Sequence, residues 1–352
     1  MLSGMTLMNY KIFGRTGLRV SELCLGTMTF GEAWGFGAPS AEVKRMFEIY
    51  VEAGGNFFDT ACNYQGGAAE SQLGELMGNE RERYVVATKY TMSMNPGDPN
   101  AWGNHRKNLR RSLEASLKRL KTDYVDLYQV HLWDHTLPAP ELMAALDELV
   151  CAGKVLHVGL SDAPAWVVAQ ANTWASAHGR NALSAIQIEY SLLERSVEQE
   201  LVPMARAFEL PILAWSPLAF GVLTGKFHGG ASDSTRGDWL TGFLGERADR
   251  VVPIVLAIAR TRGVSAAQVA LAWVSSRGSQ VFPIVGARTP SQLEENLDSL
   301  HVQLEAHELS ELERVSAAEP TFPNKMWHNR AVIDGVLSGG TAARLGGWRR
   351  PA

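Results

Sequence analysis

Short apolar runs, each closed by a turn and followed by a stretch of helical period, recur down most of the chain. Such alternation predicts a parallel α/β architecture. The predicted strands are 23–26, 56–59, 85–89, 125–131, 155–161, 185–189, 211–216 and 281–285. They number eight, as in a (β/α)8 TIM barrel. Helical stretches lie between them, among them 41–53, 106–120, 141–151, 166–178 and 265–277. Ser40 is placed to cap the first of these and Gly54 to end it, while Pro140 suits the first turn of the third. Upstream, 10–13 and 18–20 flank Gly14-Arg15-Thr16-Gly17, a turn suited to a small hairpin that would plug the bottom of a barrel.

Two connections, 90–105 and 218–250, are too long for scaffold turns, and the second is rich in Gly, Ser and Asp. Long loops inside compact domains usually serve as lids or binding loops. The last stretch, 321–352, carries Trp327, Trp348 and late arginines without clear periodicity. No linker, low-complexity tract or strong repeat interrupts the pattern. The expectation is one domain over 1–352, with a barrel core at about 10–318 and a C-terminal extension.

Composition narrows the partners. Of 352 residues, 46% are hydrophobic and 20% charged, and the formal net charge is -4. No global basic field exists to dock on nucleic acid or an anionic membrane. Apolar runs such as 254–259 fall far short of the ~20 residues that span a bilayer. The first residues lack the charged start and apolar core of a signal segment. Cys24, Cys62 and Cys151 are widely spaced and odd in number, so neither a disulfide framework nor a zinc knuckle is expected, and a reducing cytoplasm fits best.

Four polar residues fall at or just beyond the ends of three consecutive predicted strands: Asp59 and Tyr64, Lys89, and His131. A parallel barrel gathers those ends on one face. Singly, each has a bland structural explanation; the combination carries the signal. It comes with ordered motifs: Asn56-Phe57-Phe58-Asp59-Thr60-Ala61-Cys62-Asn63-Tyr64, Val86-Ala87-Thr88-Lys89, Asp123 through His131, and Val158-Gly159-Leu160-Ser161. Downstream follow Gln187-Ile188-Glu189-Tyr190-Ser191, Ala214-Trp215-Ser216-Pro217-Leu218, and Gly286-Ala287-Arg288 leading into Gln292-Leu293-Glu294-Glu295-Asn296. With these, the chain resembles the aldo-keto reductase family over about residues 10–318, and its motifs sit nearest the bacterial aryl-alcohol dehydrogenase-like and potassium-channel β-subunit-like branch.

The resemblance implies NADPH-dependent reduction of aldehydes or ketones to alcohols, with Tyr64 as general acid. Adding a hydride to a carbonyl puts negative charge on oxygen, so a positioned acid must deliver a proton as that charge develops. A phenol titrates near 10 and gives its proton reluctantly. Lys89 beside it would lower the Tyr64 pKa, Asp59 would orient Lys89, and His131 would hold the substrate oxygen.

No G-x-G-x-x-G follows a strand, as expected of a family that binds nicotinamide nucleotides without that fingerprint. The resemblance assigns Ser161 and Gln187 to the nicotinamide carboxamide and Trp215 to its ring, with Gly26, Thr27, Met28, Asp59 and Asp162 also on the cofactor surface. It assigns Ser216, Pro217, Leu218, Ala219, Lys226 and Arg236 to the loop over the diphosphate. Gly286, Arg288, Gln292, Glu295 and Asn296 match the segment that holds the adenosine end. Arg288 offers a fork to a 2′-phosphate and so argues for NADPH over NADH, with a bare helix N-terminus nearby to assist. Position 162 departs from the pattern: the family often has Asn there, and an ionised carboxylate only accepts hydrogen bonds.

Other readings of the same residues are a hydrolase pairing Asp59 with a second carboxylate and a metal enzyme built on His131. No spacing such as H-E-x-x-H supports the latter, and Asp126 and Glu189 have no obvious reactive role. A further alternative is a nucleotide-binding regulatory or channel-associated subunit with vestigial turnover. Trp34, Phe36, Met92, Trp102, Trp133, Phe220, Met326 and Trp327 are candidates to wall a carbonyl pocket. The particular substrate and the oligomeric state are not written in these motifs.

Overall fold

Period-2 alternation sorts the strand residues into two buried groups, and that sorting builds the molecule. The computed structural model describes residues 7–227 and 244–345. In it, β1 (Tyr10–Ile12) and β2 (Arg19–Ser21) form an antiparallel hairpin. Eight parallel strands follow: β3 (Cys24–Gly26), β4 (Phe57–Asp59), β5 (Val85–Tyr90), β6 (Val125–Val130), β7 (Val155–Ser161), β8 (Ala185–Glu189), β9 (Ile212–Trp215) and β10 (Val281–Val285). Each pairs with the next, and β10 closes on β3. This is the (β/α)8 barrel that the pattern predicts.

Cys24, Phe57, Val85, Ala87, Leu127, Ala185, Leu213 and Phe282 form one cluster inside the barrel. Their strand neighbours, among them Leu25, Phe58, Val86, Tyr128, Val130 and Ile186, join the larger cluster beneath the helices. Successive side chains of a strand point to opposite faces, so Asp59, Lys89, Ser161, Gln187, Glu189 and Trp215 share the inward phase at the strands' C-terminal ends. The hairpin closes the other end: Phe13 packs at 5.4 Å against the rings of Phe57 and of Phe282, at the starts of β4 and β10. Gly14 turns there with φ of 53°, and a Cβ on it would fall 2.6 Å from the Pro211 ring. No other residue fits that approach.

The helices fall close to their expected ranges, at Ser40–Glu52, Arg106–Leu120, Ala139–Cys151, Ala165–Ala177 and Ala266–Ser275. Ser40 is not the cap of the first: Pro39 occupies that position and Ser40 is already helical. Pro140 does lie in a first turn, and Ser265 forms a capping box with Gln268. The second long connection ends sooner than expected, because Glu246–Arg262 is helical. Strand β6 stops at Val130, one residue short of the prediction, which leaves His131 in the loop beyond. Asp126 faces outward in an ion pair of 2.6 Å with Arg81 and accepts from the Val86 amide, a scaffold role. Among the described residues no single helix is long and apolar enough to cross a membrane.

Candidate active site

Lys89 sits at the centre of the C-terminal face, completely buried. Its ammonium donates to Asp59 Oδ2 at 2.6 Å, to the Thr60 carbonyl at 2.9 Å and to Tyr64 Oη at 3.1 Å. Those three bonds exhaust its donors. Asp59 is equally engaged, since its Oδ1 accepts from Gln187 Nε2 at 2.8 Å. Tyr64 Oη accepts from Lys89, and the phenol has no acceptor for its own proton among the described residues. Four of the predicted residues are thus one connected network, and His131 completes the group with its ring 5.7 Å from that of Tyr64.

The loop carrying Tyr64 is held by backbone bonds to β5: Thr60 N–H donates to Ala87 and Cys62 N–H to Lys89. Gln65, with φ of 51°, turns its side chain back as a clamp. Its amide donates to the carbonyls of Met28 and Phe36 at 3.0 Å each and accepts from Trp34 N–H at 3.0 Å. Trp34 consequently meets the Tyr64 ring edge-on at 6.2 Å and Phe36 at 5.9 Å. Across the site, His131 N–H donates to the Tyr90 carbonyl and to Thr91 Oγ1, and Asn104 Nδ2 donates to that same hydroxyl at 3.0 Å. Gln65 and Asn104 had no signal in the sequence pattern, because each acts through partners in other loops.

Electrostatics separate the roles. Burial works against the Lys89 ammonium, but attraction to Asp59 and Tyr64 outweighs it and holds Lys89 above its ordinary range. For Tyr64 the expectation needs correcting: burial raises its pKa by more than Lys89 lowers it, and Asp59 and Asp162 add to the rise. Burial, then the Lys89 charge, push His131 down to about 3. His131 is therefore neutral at physiological pH: its one ring N–H can donate a hydrogen bond, but it has no imidazolium proton to transfer.

The predicted cofactor residues line the same rim. Ser161 is buried and its hydroxyl has no hydrogen-bond partner among the described residues, although it lies near enough to Asp162 to favour that carboxylate's charged form. A buried donor left unmade is costly, so this hydroxyl is one place where a ligand fits. Asp162 accepts from Trp215 Nε1 at 3.0 Å and so pins the indole. Gly26 ends β3 against Ile284, and Thr27 is spent on the Asp59 carbonyl through both its N–H and its hydroxyl. Ser216, Ala219 and Phe220 all have positive φ in the turn that begins the second long loop, with Pro217 and Leu218 between them. Lys226 lies over the Phe227 ring at 4.8 Å. Arg236 falls outside the described residues.

At the far end, Gly286 is exposed and a Cβ on it would meet nothing within 4 Å, which leaves open space beside the end of β10. The Arg288 guanidinium has no ion pair or hydrogen bond among the described residues. Its backbone N–H donates to Gln292, and Asn296 holds the Gly286 carbonyl. The helix N-terminus here is not bare, because Thr289 Oγ1 caps it. Glu295 is exposed on that helix, Pro290–Leu297. These features, an orphan hydroxyl, a fixed indole, an open glycine and an unpaired guanidinium, fit an extended nucleotide.

Of the pocket candidates, Trp34 packs on Phe36 and meets Tyr64, Phe220 meets the Trp215 ring edge-on at 6.2 Å, and Trp133 is buried with its Nε1 unpartnered among the described residues. Met326 and Trp327 lie exposed on Asn324–His328, with no hydrogen bond or ring contact to the site. Among the described residues no three His, Cys, Asp or Glu side chains converge into a set that could hold a metal ion.

Comparison with known proteins agrees with this geometry. The aldo/keto reductase family model matches residues 22–317. Norsolorinic acid reductase stcV of Emericella nidulans is 39% identical over 317 residues, covering 87% of this chain and 81% of that protein. Aryl-alcohol dehydrogenase GME11368 of Pestalotiopsis microspora is 40% identical, covering 88% and 82%. The putative aryl-alcohol dehydrogenase AAD14 of Saccharomyces cerevisiae is 34% identical, covering 92% and 90%. With the closed barrel, the Lys89-centred network and this likeness across most of its length, the chain belongs to the aldo/keto reductase family of oxidoreductases.

Proposed function

We propose that the protein reduces aldehydes or ketones to alcohols with NADPH, and that Tyr64 is the general acid. The observation that carries this is the Tyr64–Lys89–Asp59 chain beside a neutral His131. Two groups border the substrate oxygen: neutral His131 can donate a hydrogen bond, and the phenol is the one with a proton to transfer. When bound, NADPH supplies the hydride. Tyr64 donates its proton from Oη as negative charge builds on the carbonyl oxygen. The phenolate left behind is stabilised by the ammonium already 3.1 Å away, which needs no reorganisation at that moment. Neutral His131 orients the oxygen by a hydrogen bond.

Ser161, Gln187 and the pinned Trp215 would hold and shield the nicotinamide end, and Arg288 would take the 2′-phosphate that distinguishes NADPH from NADH. The relatives' names refer to aryl alcohols and to norsolorinic acid, and Trp34 and Phe36 offer aromatic walls next to Tyr64. Aromatic carbonyls are therefore the substrates to screen first.

The test is turnover of a carbonyl and alcohol panel followed by nicotinamide absorbance, on wild type and Tyr64→Phe. Losing the acid should lower kcat by roughly 10²- to 10⁴-fold while the NADPH dissociation constant stays within about twofold. Wild-type turnover in Tyr64→Phe removes the phenol from the mechanism. NADPH binding without oxidation by any carbonyl would instead favour a regulatory nucleotide-binding subunit.

A further inference from the structure

The charges around the nicotinamide end do not cancel. Among the described residues three carboxyl groups, Asp59, Asp162 and Glu189, meet one cation, Lys89, at the top of the barrel. Asp59 and Lys89 form a pair at 2.6 Å and spend themselves on each other. Burial, then repulsion from Glu194 and Asp162, push Glu189 up to about 8, so it is mostly neutral at pH 7. Asp162 is left over.

Asp162 is also fixed in place. It follows the last residue of β7 with φ of 44°, its N–H donates to the Gln187 carbonyl at 3.0 Å, and its Oδ1 accepts from Trp215 Nε1 at 3.0 Å. The indole donor is neutral, and Asp162 has no ion pair among the described residues. Its carboxylate thus stands half-buried between Ser161, Gln187 and Trp215, the three residues assigned to the nicotinamide, its negative charge eased only by the pull of Lys89 and matched by no ion pair among the described residues.

The oxidised nicotinamide ring is a cation and the reduced ring is neutral. We propose that Asp162 makes this subsite discriminate between the two redox forms, binding NADP+ more tightly than NADPH. The inference rests on the nicotinamide placement proposed above. A fixed carboxylate within several ångströms of a cation, at the effective dielectric of a half-buried site, gives a preference of about tenfold. Hydride donation turns the neutral ring into the cation, so the same preference pulls the equilibrium on the protein toward oxidised cofactor and alcohol by an equal factor.

Burial raises the Asp162 pKa to about 6 against the opposing pull of the Trp215 bond and of Lys89. The facing groups are Lys89 and Tyr64, Ser161, Gln187 and Glu189, and Trp215. Lys89 and Tyr64 titrate above their ordinary values, Glu189 near 8 and His131 near 3. Between pH 5.5 and 7.0, Asp162 is the one of these groups whose charge changes most. The cofactor's 2′-phosphate also titrates in that window, but equally in both redox forms, and cancels in their ratio.

The experiment measures dissociation constants of NADP+ and NADPH on the full-length protein, wild type and Asp162→Asn, at pH 7.0 and 5.5. Asn keeps the shape and a carbonyl oxygen for the Trp215 indole, and a thermal melt reports whether the fold is intact. The expected result is that the NADP+ preference falls about tenfold in Asp162→Asn at pH 7.0. Wild type alone should lose much of its preference at pH 5.5, a readout that needs no variant. Equal weakening of both forms would make Asp162 a shape-setting residue and overturn the proposal, as would a preference independent of pH. Failure of wild type to bind either form would overturn the cofactor reading itself, and this inference with it.

Discussion

Glu189→Gln should stabilise the protein increasingly as pH rises. Glu189 ends β8 with its side chain half-buried and one carboxylate oxygen without a hydrogen-bond partner. Burial, then the nearby carboxylates of Glu194 and Asp162, raise its pKa from 4.5 to about 8. In the unfolded chain it ionises at the ordinary value. A raised folded-state pKa contributes stability that is fully present below pH 4.5 and is lost as pH climbs through 8. That gap corresponds to a ceiling of about 5 kcal/mol. Solvent reaching a half-buried group at the open end of the barrel screens much of it, so about 2 kcal/mol is the expected cost at pH 9. Gln preserves size and carries no charge. Urea denaturation of both proteins at pH 4.5, 7 and 9 gives the difference directly, with other titrating groups cancelling between them. The variant should match wild type at pH 4.5 to within about 0.5 kcal/mol and exceed it by about 2 kcal/mol at pH 9. A difference that stays flat across that range would show Glu189 ionised and well solvated at neutral pH. It would also remove the reason for treating Asp162 as the one unbalanced charge.

Two further outcomes follow from single side chains. Arg288→Ala removes a guanidinium that has no partner among the described residues, so NADPH affinity should fall roughly tenfold to a hundredfold while NADH affinity changes little; equal losses for both in titration calorimetry would place Arg288 on the shared adenosine. Cys62 lies between Asp59 and Tyr64 but is buried, and burial, then Glu70, push its thiol up to about 12, so it is no nucleophile. Cys62→Ser should keep most turnover and lose about 1–2 kcal/mol of stability to a buried hydroxyl, and near-complete loss of turnover in a folded variant would contradict this.

The sequence alone determined the barrel, because strand alternation and helical period are local properties of the chain. Each of the eight strands was visible within a residue or so of its end, as were the four polar residues at their tips. Parity then carried Asp59, Lys89, Ser161, Gln187 and Trp215 to one face, since closing a parallel sheet leaves them nowhere else to go. What the tertiary structure decided depends on partners distant in the chain. Gln187 donates to Asp59 across 128 positions, and Trp215 to Asp162 across 53. The Gln65 clamp ties three loop positions that no periodicity connects. Desolvation is also a property of the fold alone. It reversed the expected direction of the Tyr64 shift, made His131 neutral and Glu189 protonated, and left Asp162 as a charge without an ion pair among the described residues.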